Sequence, residues 1–192
     1  MLPERIIFRM KKILSIVTIS LLAVVSLFYG WLSASAPGAK KTDIGSIFVE
    51  KVVDGDSIEA VIQVKREHIR LIGIDAPELA QRPWGKKAKK YLEELVAASK
   101  WEVGIAYDVE RRDKHDRVLA YLWSRDGKLV NEELLRAGLA VIFTFPPNVK
   151  YVDRFRTAQI IARENKAGIW GKGGLRQLPS DYRKEHPRKE PR

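Results

Sequence analysis

Asp54-Gly55-Asp56-Ser57 and Arg70-Leu71-Ile72-Gly73-Ile74-Asp75-Ala76-Pro77-Glu78 decide the reading of this chain. Asp54-Gly55 is a turn signal. The apolar, β-branched run Ile47 to Val53 before it reads as a strand. Ile58 to Val64 alternates Ile58, Ala60, Ile62 and Val64 against Glu59, Val61 and Gln63, the pattern of a half-buried strand. Ile69 to Ile74 is a third strand, reached by a turn near Glu67. Three carboxylates (Asp56, Asp75, Glu78) and one guanidinium (Arg70) thus gather at strand ends. Carboxylates so placed offer hard oxygen ligands to a cation, and an arginine beside them offers a partner for a phosphate. Together they point to phosphodiester chemistry.

Strand parity alone does not bring Arg70 to Asp75, because a separation of five residues puts them on opposite faces. Taken singly, Asp54, Asp56 and Asp75 also read as turn residues.

Outward from this stretch, Lys86 to Ala98 predicts a helix with Ala88, Tyr91, Leu92, Leu95, Val96 and Ser99 on one face. Trp101, Val103, Ile105, Tyr107 and Val109 alternate as a fourth strand, and Val118 to Trp123 is a fifth. Asn131 is placed to cap a short helix ending near Gly138. A last helix runs from Tyr151 to Asn165. The order strand-strand-strand-helix-strand-strand-helix-helix predicts an α+β fold: a five-stranded OB-type barrel with three packed helices. One hydrophobic helix precedes it.

The 192 residues carry a net charge of +11 and no cysteine. Disulfides and cysteine-based zinc sites are therefore excluded. Residues 1–43 hold six basic and two acidic side chains, and residues 172–192 hold seven and three, so each end contributes +4 and residues 44–171 only +3. The fold itself is mildly basic. Five segments follow: a basic region 1–12, an apolar run 13–32, a polar linker 33–43, a domain over 44–171, and a basic tail 172–192 expected to be disordered.

Ile13 to Leu32 is long enough to cross a bilayer, and Arg5, Arg9, Lys11 and Lys12 precede it, so export of the remainder is expected. Ala34-Ser35-Ala36 has the small-residue form of a cleavage site. The run reads either as a membrane anchor or as a signal peptide removed near Ala36. The true start is either Met1 or Met10.

Residues from about Ile47 to Gly171 resemble the staphylococcal nuclease (thermonuclease) family. The resemblance is carried by Val53 to Ser57, Arg70 to Glu78, Gly85 to Ala88, Asp113 to Arg117 with Leu119-Ala120-Tyr121, Val130 to Ala140, and Gly168-Ile169-Trp170. It implies a Ca²⁺-dependent, monomeric hydrolase of DNA and RNA that leaves 3′-phosphate ends, with Mg²⁺ or Mn²⁺ as the next candidate ions. Asp56 and Asp75 would bind the ion through carboxylates, and Ala76 through its backbone carbonyl. Glu78 would position and deprotonate the attacking water, and Arg70 and Arg117 would grip the scissile phosphate. Lys114, His115, Phe143 and Phe145 would meet the substrate.

Departures cluster around that substrate. Phe143 and Phe145 stand where tyrosines are usual, which keeps stacking but removes hydroxyl hydrogen bonds. His115 replaces a tyrosine, Asp116 a glycine, and the loop Leu79 to Trp84 is shortened. A nuclease-like barrel without catalysis, binding nucleic acid or protein at the envelope, is the competing reading; the intact acidic trio and both arginines argue against it.

Overall fold

The alternation of Ile47, Val49, Val103, Ile105, Ile58, Ala60, Ile69 and Leu71 gives four strands one apolar face each, and those faces can be buried only by curling the strands around one another. The computed structural model, which describes residues 45–187, shows that closure. Strands β1 (Gly45–Val52), β2 (Ser57–Ile62), β3 (Lys65–Leu71), β5 (Glu102–Ala106) and β6 (Val118–Trp123) form a closed barrel in the order β1-β2-β3-β6-β5. Between β3 and β5 lie a two-residue strand β4 (Ile74–Asp75) and helix α1 (Trp84–Ala98). The barrel neighbours are antiparallel except β3 and β6, which run parallel and set Arg70 opposite Leu119.

The β1 face shifts from Val49 to Val52 instead of keeping a period of two. Its register with β2 slips between Val49 and Lys51, the signature of a bulge that adds curvature. The turn joining β2 and β3 falls at Gln63-Val64, before Glu67; Glu67 itself lies inside β3, with its side chain buried.

Beyond β6 come α2 (Val130–Arg136), β7 (Val141–Ile142), α3 (Val152–Glu164), a 3-10 turn (Gly168–Trp170) and α4 (Pro179–Glu185). Helix α1 buries Gly85, Ala88, Leu92 and Val96, and α3 buries Phe155, Ala158 and Ala162. The described residues thus hold four α-helices, one more than expected. Residues 188–192 lie outside the described residues, and for Pro179–Glu185 the fourth helix corrects the reading of the tail as disordered. Its sequence has Pro179 at the helix start, Asp181 in the first turn and Arg183 and Lys184 in the last, the arrangement a helix dipole favours. Among the described residues no helix is long and apolar enough to cross a membrane. The apolar run 13–32 and the expected hydrophobic N-terminal helix lie outside those residues.

Two features aim the strand ends. Gly73 takes φ +80° between β3 and β4, and a side chain there would collide with the Phe155 ring at 2.4 Å. Glycine is therefore required twice, by the backbone angle and by packing. Asn131 is not the helix cap that its position suggests. Leu129 occupies that place without a side-chain cap, and Asn131, fully buried, donates to the Ile72 carbonyl at 2.9 Å while accepting from the Leu122 N–H at 3.0 Å. One amide thus stitches the Gly73 turn to β6.

Replacing Asn131 by Leu leaves both backbone groups buried and unpaired, each at about 1–3 kcal/mol. A urea titration of Asn131→Leu should therefore show a loss of about 2–6 kcal/mol; a midpoint equal to wild type would contradict the role given to this amide.

Candidate active site

The pairing of β2 with β3 puts Ser57 directly opposite Arg70, so Asp56, one residue before the strand, sits beside the Arg70 end. The parity obstacle between Arg70 and Asp75 disappears because β3 stops at Leu71. The left-handed Gly73 turn reverses the chain, and β4 starts in a new register against β7, pairing Asp75 with Val141. Arg70 then lies between both aspartates. Its Nη1 is 3.0 Å from Asp56 Oδ2 and its Nη2 donates to Asp75 Oδ1 at 3.2 Å. Nη1 also reaches the Leu71 carbonyl at 3.2 Å.

Asp56 and Asp75 are both buried, Asp75 to 1% exposure. Burial pushes the Asp56 carboxyl up to about 7, and the nearby charges of Asp54 and Asp75 push the same way, against Arg70 and a 2.6 Å hydrogen bond from the Ala76 N–H. This carboxyl is short of positive charge. Ala76, directly after β4, meets Asp56 through that N–H, across 20 residues of sequence.

The donors fit a hard divalent cation in kind. They are carboxylate oxygens with main-chain carbonyls nearby and no sulfur or imidazole, and a buried acid pair with one guanidinium between them gains from further positive charge. Among the described residues, however, no three acidic, histidine or cysteine side chains form a ready-made cation cluster. Guanidinium groups interleave the acids instead.

Glu78 lies at the rim of this group. Its backbone N–H donates to Gln81 Oε1 at 2.9 Å, and α1 begins close behind: a side chain at Gly85 would stand 2.0 Å from the Glu78 carbonyl. The shortened loop Leu79 to Trp84 is thus held tightly against the start of α1. The Glu78 carboxylate accepts a hydrogen bond at 2.9 Å from Arg183 of α4, and the same guanidinium makes a two-pronged contact with Asp75 (Nη1 to Oδ1, 3.0 Å; Nη2 to Oδ2, 2.9 Å). Arg183 had no place among the residues expected here. Helix-end signals around it were readable, but its contact partners lie 105 and 108 residues away and leave no local trace.

Arg117 is placed differently. The β3–β6 register puts it two residues before Leu119, on the side of the ladder that carries Arg70. Its guanidinium is committed to Asp113, with Nε at 2.8 Å and Nη2 at 2.7 Å from Oδ2. Burial opposes the Asp113 charge, but the side-chain and backbone bonds from Arg117 and the backbone bond from His115 outweigh it and hold the carboxyl below its usual range. Asp116 adopts φ +62°, so an aspartate supplies the left-handed angle for which glycine is usual. The loop is anchored to the barrel by Arg112, whose two terminal nitrogens grip Glu67 at 3.0 and 2.8 Å and whose Nη1 also meets the Asp116 carbonyl at 2.7 Å. Hydrogen bonds from Arg112 and Lys65 hold Glu67 down at about 2, which keeps this clamp ionised.

Lys114 and His115 lie in the exposed turn before Arg117. Phe143 and Phe145 follow β7 with exposed rings, at 44% and 65%, so they are not core aromatics. The Phe143 N–H donates to the Gly73 carbonyl at 3.0 Å, tying that aromatic to the turn that aims Asp75. The structure therefore brings together Asp56, Arg70, Asp75, Ala76 and Glu78; Arg117, Lys114 and His115 stand on the adjoining loop, and Phe143 and Phe145 on the other side of the Gly73 turn.

Comparison with known proteins identifies the family. The sequence profile described as "Staphylococcal nuclease homologue" matches residues 68–172. The chain is 35% identical over 169 residues to the thermonuclease of Staphylococcus intermedius, covering 84% of this chain and 99% of that one. It is 33% identical over 171 residues to the thermonuclease of Staphylococcus hyicus, with the same shares. Endonuclease YncB of Bacillus subtilis (strain 168) is 36% identical over 149 residues, or 73% of this chain and 69% of that protein. With its barrel, its paired acids and these relatives, the chain belongs to the staphylococcal nuclease family and is a hydrolase of the nuclease class.

Proposed function

We propose that this nuclease is exported, hydrolyses phosphodiester bonds of both DNA and RNA with one divalent cation, Ca²⁺ in preference to Mg²⁺ or Mn²⁺, and leaves 3′-phosphate ends. The observation that carries the reading is the buried pair Asp56 and Asp75 with Arg70 between them and Glu78 at the rim.

Asp56 and Asp75 would hold the cation through their carboxylates and Ala76 through its carbonyl. When bound, the cation supplies positive charge against which negative charge on the phosphate oxygens can build. The remaining work falls to side chains. Arg70 and Arg117 donate N–H groups to the non-bridging oxygens of the scissile phosphate, a task that suits a planar, permanently charged fork better than an ammonium. Glu78 accepts a hydrogen bond from a water and takes its proton as the water oxygen bonds to phosphorus. The bond from phosphorus to the 5′-oxygen breaks, that oxygen takes up a proton, and the phosphate stays on the 3′ side. For this to happen Arg117 must turn from Asp113 towards the phosphate, a rotation that its partly exposed side chain allows. Phe143 and Phe145 offer exposed rings for base stacking.

Export is supported by the basic residues before the apolar run 13–32. The domain would then act outside the cytoplasm as a monomer, either tethered by that run or released near Ala36.

Incubation of the chain with single- and double-stranded DNA and RNA should show cleavage that Ca²⁺ supports and a chelator abolishes. Glu78→Gln and Arg70→Ala should each lower the rate about 10²- to 10³-fold; tight binding without turnover under every metal would sink the proposal. The products should resist extension by a polymerase until a phosphatase removes the 3′-phosphate, and products extendable without that treatment would assign the opposite end chemistry. Phe143→Ala should raise KM by about five- to a hundredfold, the range of one lost base stack, with little change in kcat; a purely catalytic effect would exclude stacking.

A further inference from the structure

The segment after the 3-10 turn is basic, short and polar, yet it is pinned to the acidic site at two points. Gln81 Nε2 donates to the Gln177 carbonyl at 2.9 Å, while its Oε1 accepts from the Glu78 N–H. One amide therefore joins the tail to the turn carrying Glu78. From there Pro179, buried, opens α4, and Tyr182 stacks on His186 with ring centroids 4.2 Å apart. That helix delivers Arg183 onto Asp75 and Glu78 with three hydrogen bonds of 2.9 to 3.0 Å.

A guanidinium laid across Asp75 and Glu78 does what a cation at that place would do. It neutralises charge on both acids and satisfies the buried oxygens of Asp75. It also engages the Glu78 oxygen that a water would need. Cation and guanidinium want the same Asp75 oxygens, and coordination at about 2.3–2.6 Å leaves no room for a guanidinium on the same lone pairs. Arg70 differs from Arg183 in this respect. It is carried by a barrel strand and cannot withdraw, whereas Arg183 is on a helix held by few contacts and can.

We propose that residues 177–185 form a tethered competitor for the metal site: Arg183 holds Asp75 and Glu78 while no divalent cation is bound, and cation binding releases it together with α4. The proposal rests on the divalent-cation reading of Asp56 and Asp75 given above. Metal loading and opening of the site are then one event, and the enzyme is closed until the cation reaches a concentration that displaces its own arginine.

Calorimetric titration of the full chain with CaCl₂, without nucleic acid, tests this. Arg183→Gln should bind Ca²⁺ about tenfold more tightly than wild type, the effect of removing one charge-assisted competitor. Lys184→Gln removes the same charge from the same helix but pairs only with Asp181, and should leave the affinity unchanged. Hydrogen exchange on the wild-type chain needs no variant. Ca²⁺ should speed exchange of the Asp181, Tyr182 and His186 amides, which are bonded within the helix. Equal or weaker Ca²⁺ binding by Arg183→Gln, or helix exchange indifferent to Ca²⁺, overturns the competitor while leaving the metal site intact. Failure of both wild type and Arg183→Gln to bind any divalent cation overturns the metal reading and the competitor with it. Unchanged affinity with turnover lost at saturating Ca²⁺ makes Arg183 a phosphate ligand, which also overturns the proposal.

Discussion

Two carboxylates buried at one end of a small barrel, with a single guanidinium between them, govern this structure. Removing an acid from water disfavours its charge, and a second acid beside it disfavours it further. Arg70 supplies one positive charge between them, Arg183 a second on the Asp75 side, and the Ala76 N–H adds a dipole. At Asp56 burial outweighs these partners and pushes the carboxyl up to about 7. A hydrophobic barrel would be simpler to stabilise with apolar residues at these positions. Their presence therefore points to a role other than stability. The surrounding fold maintains the arrangement: the Ser57–Arg70 register aligns β2 with β3, Gly73 reverses the chain against Phe155, and Asn131 ties that reversal to β6.

The barrel was readable because each strand declares one apolar face, and a period of two survives small errors at strand ends. Asp56, Arg70, Asp75 and Glu78 were readable as types gathered at strand ends, though not as a converging group. Parity set Arg70 against Asp75 on the assumption of one continuous strand through Ile74. A positive φ at a single glycine changed the register, and no period reveals such an event. Asn131 shows a related limit. Its position signals a cap, but a buried amide serves whichever backbone groups the tertiary fold leaves unpaired, and here these belong to Ile72 and Leu122. Composition misled at the C-terminal segment. Few apolar residues and many charges suggested that residues 172–192 could not order themselves, and helix α4 is ordered through ion pairs with the active site instead of through a core of its own.

The site divides by the rigidity of what carries each charge. Asp56, Arg70 and Asp75 are mounted on or beside strands and packed from several sides. Arg117, Arg183 and the two phenylalanines are mounted on a loop, a terminal helix and the segment after β7, each partly open to water. Preorganised charge accelerates a reaction when it need not move as the transition state forms, and the acids and Arg70, fixed to the barrel, meet that condition. Groups that must admit and release a polymer have the opposite requirement. Asp113 and the Arg112–Glu67 clamp illustrate the compromise: the clamp fixes the loop, while the Arg117 guanidinium is held only by a carboxylate that a phosphate can replace with like charge.

That replacement connects the two mobile arginines. In the state described, Arg117 and Arg183 are each neutralised by acids of the protein, so the positive charge that would attract a polyanion is internally paired. Under the proposed cycle, a cation held by Asp56 and Asp75 would cancel negative charge there and free Arg183 from Asp75, and a phosphate would then draw Arg117 from Asp113. Each step exchanges one ion pair for another of similar kind, so no large unfavourable exposure of an unpaired charge intervenes. In that proposal, closure and cation binding are two pairings of the same few charges, with the balance set where Asp75, Glu78 and Arg183 meet.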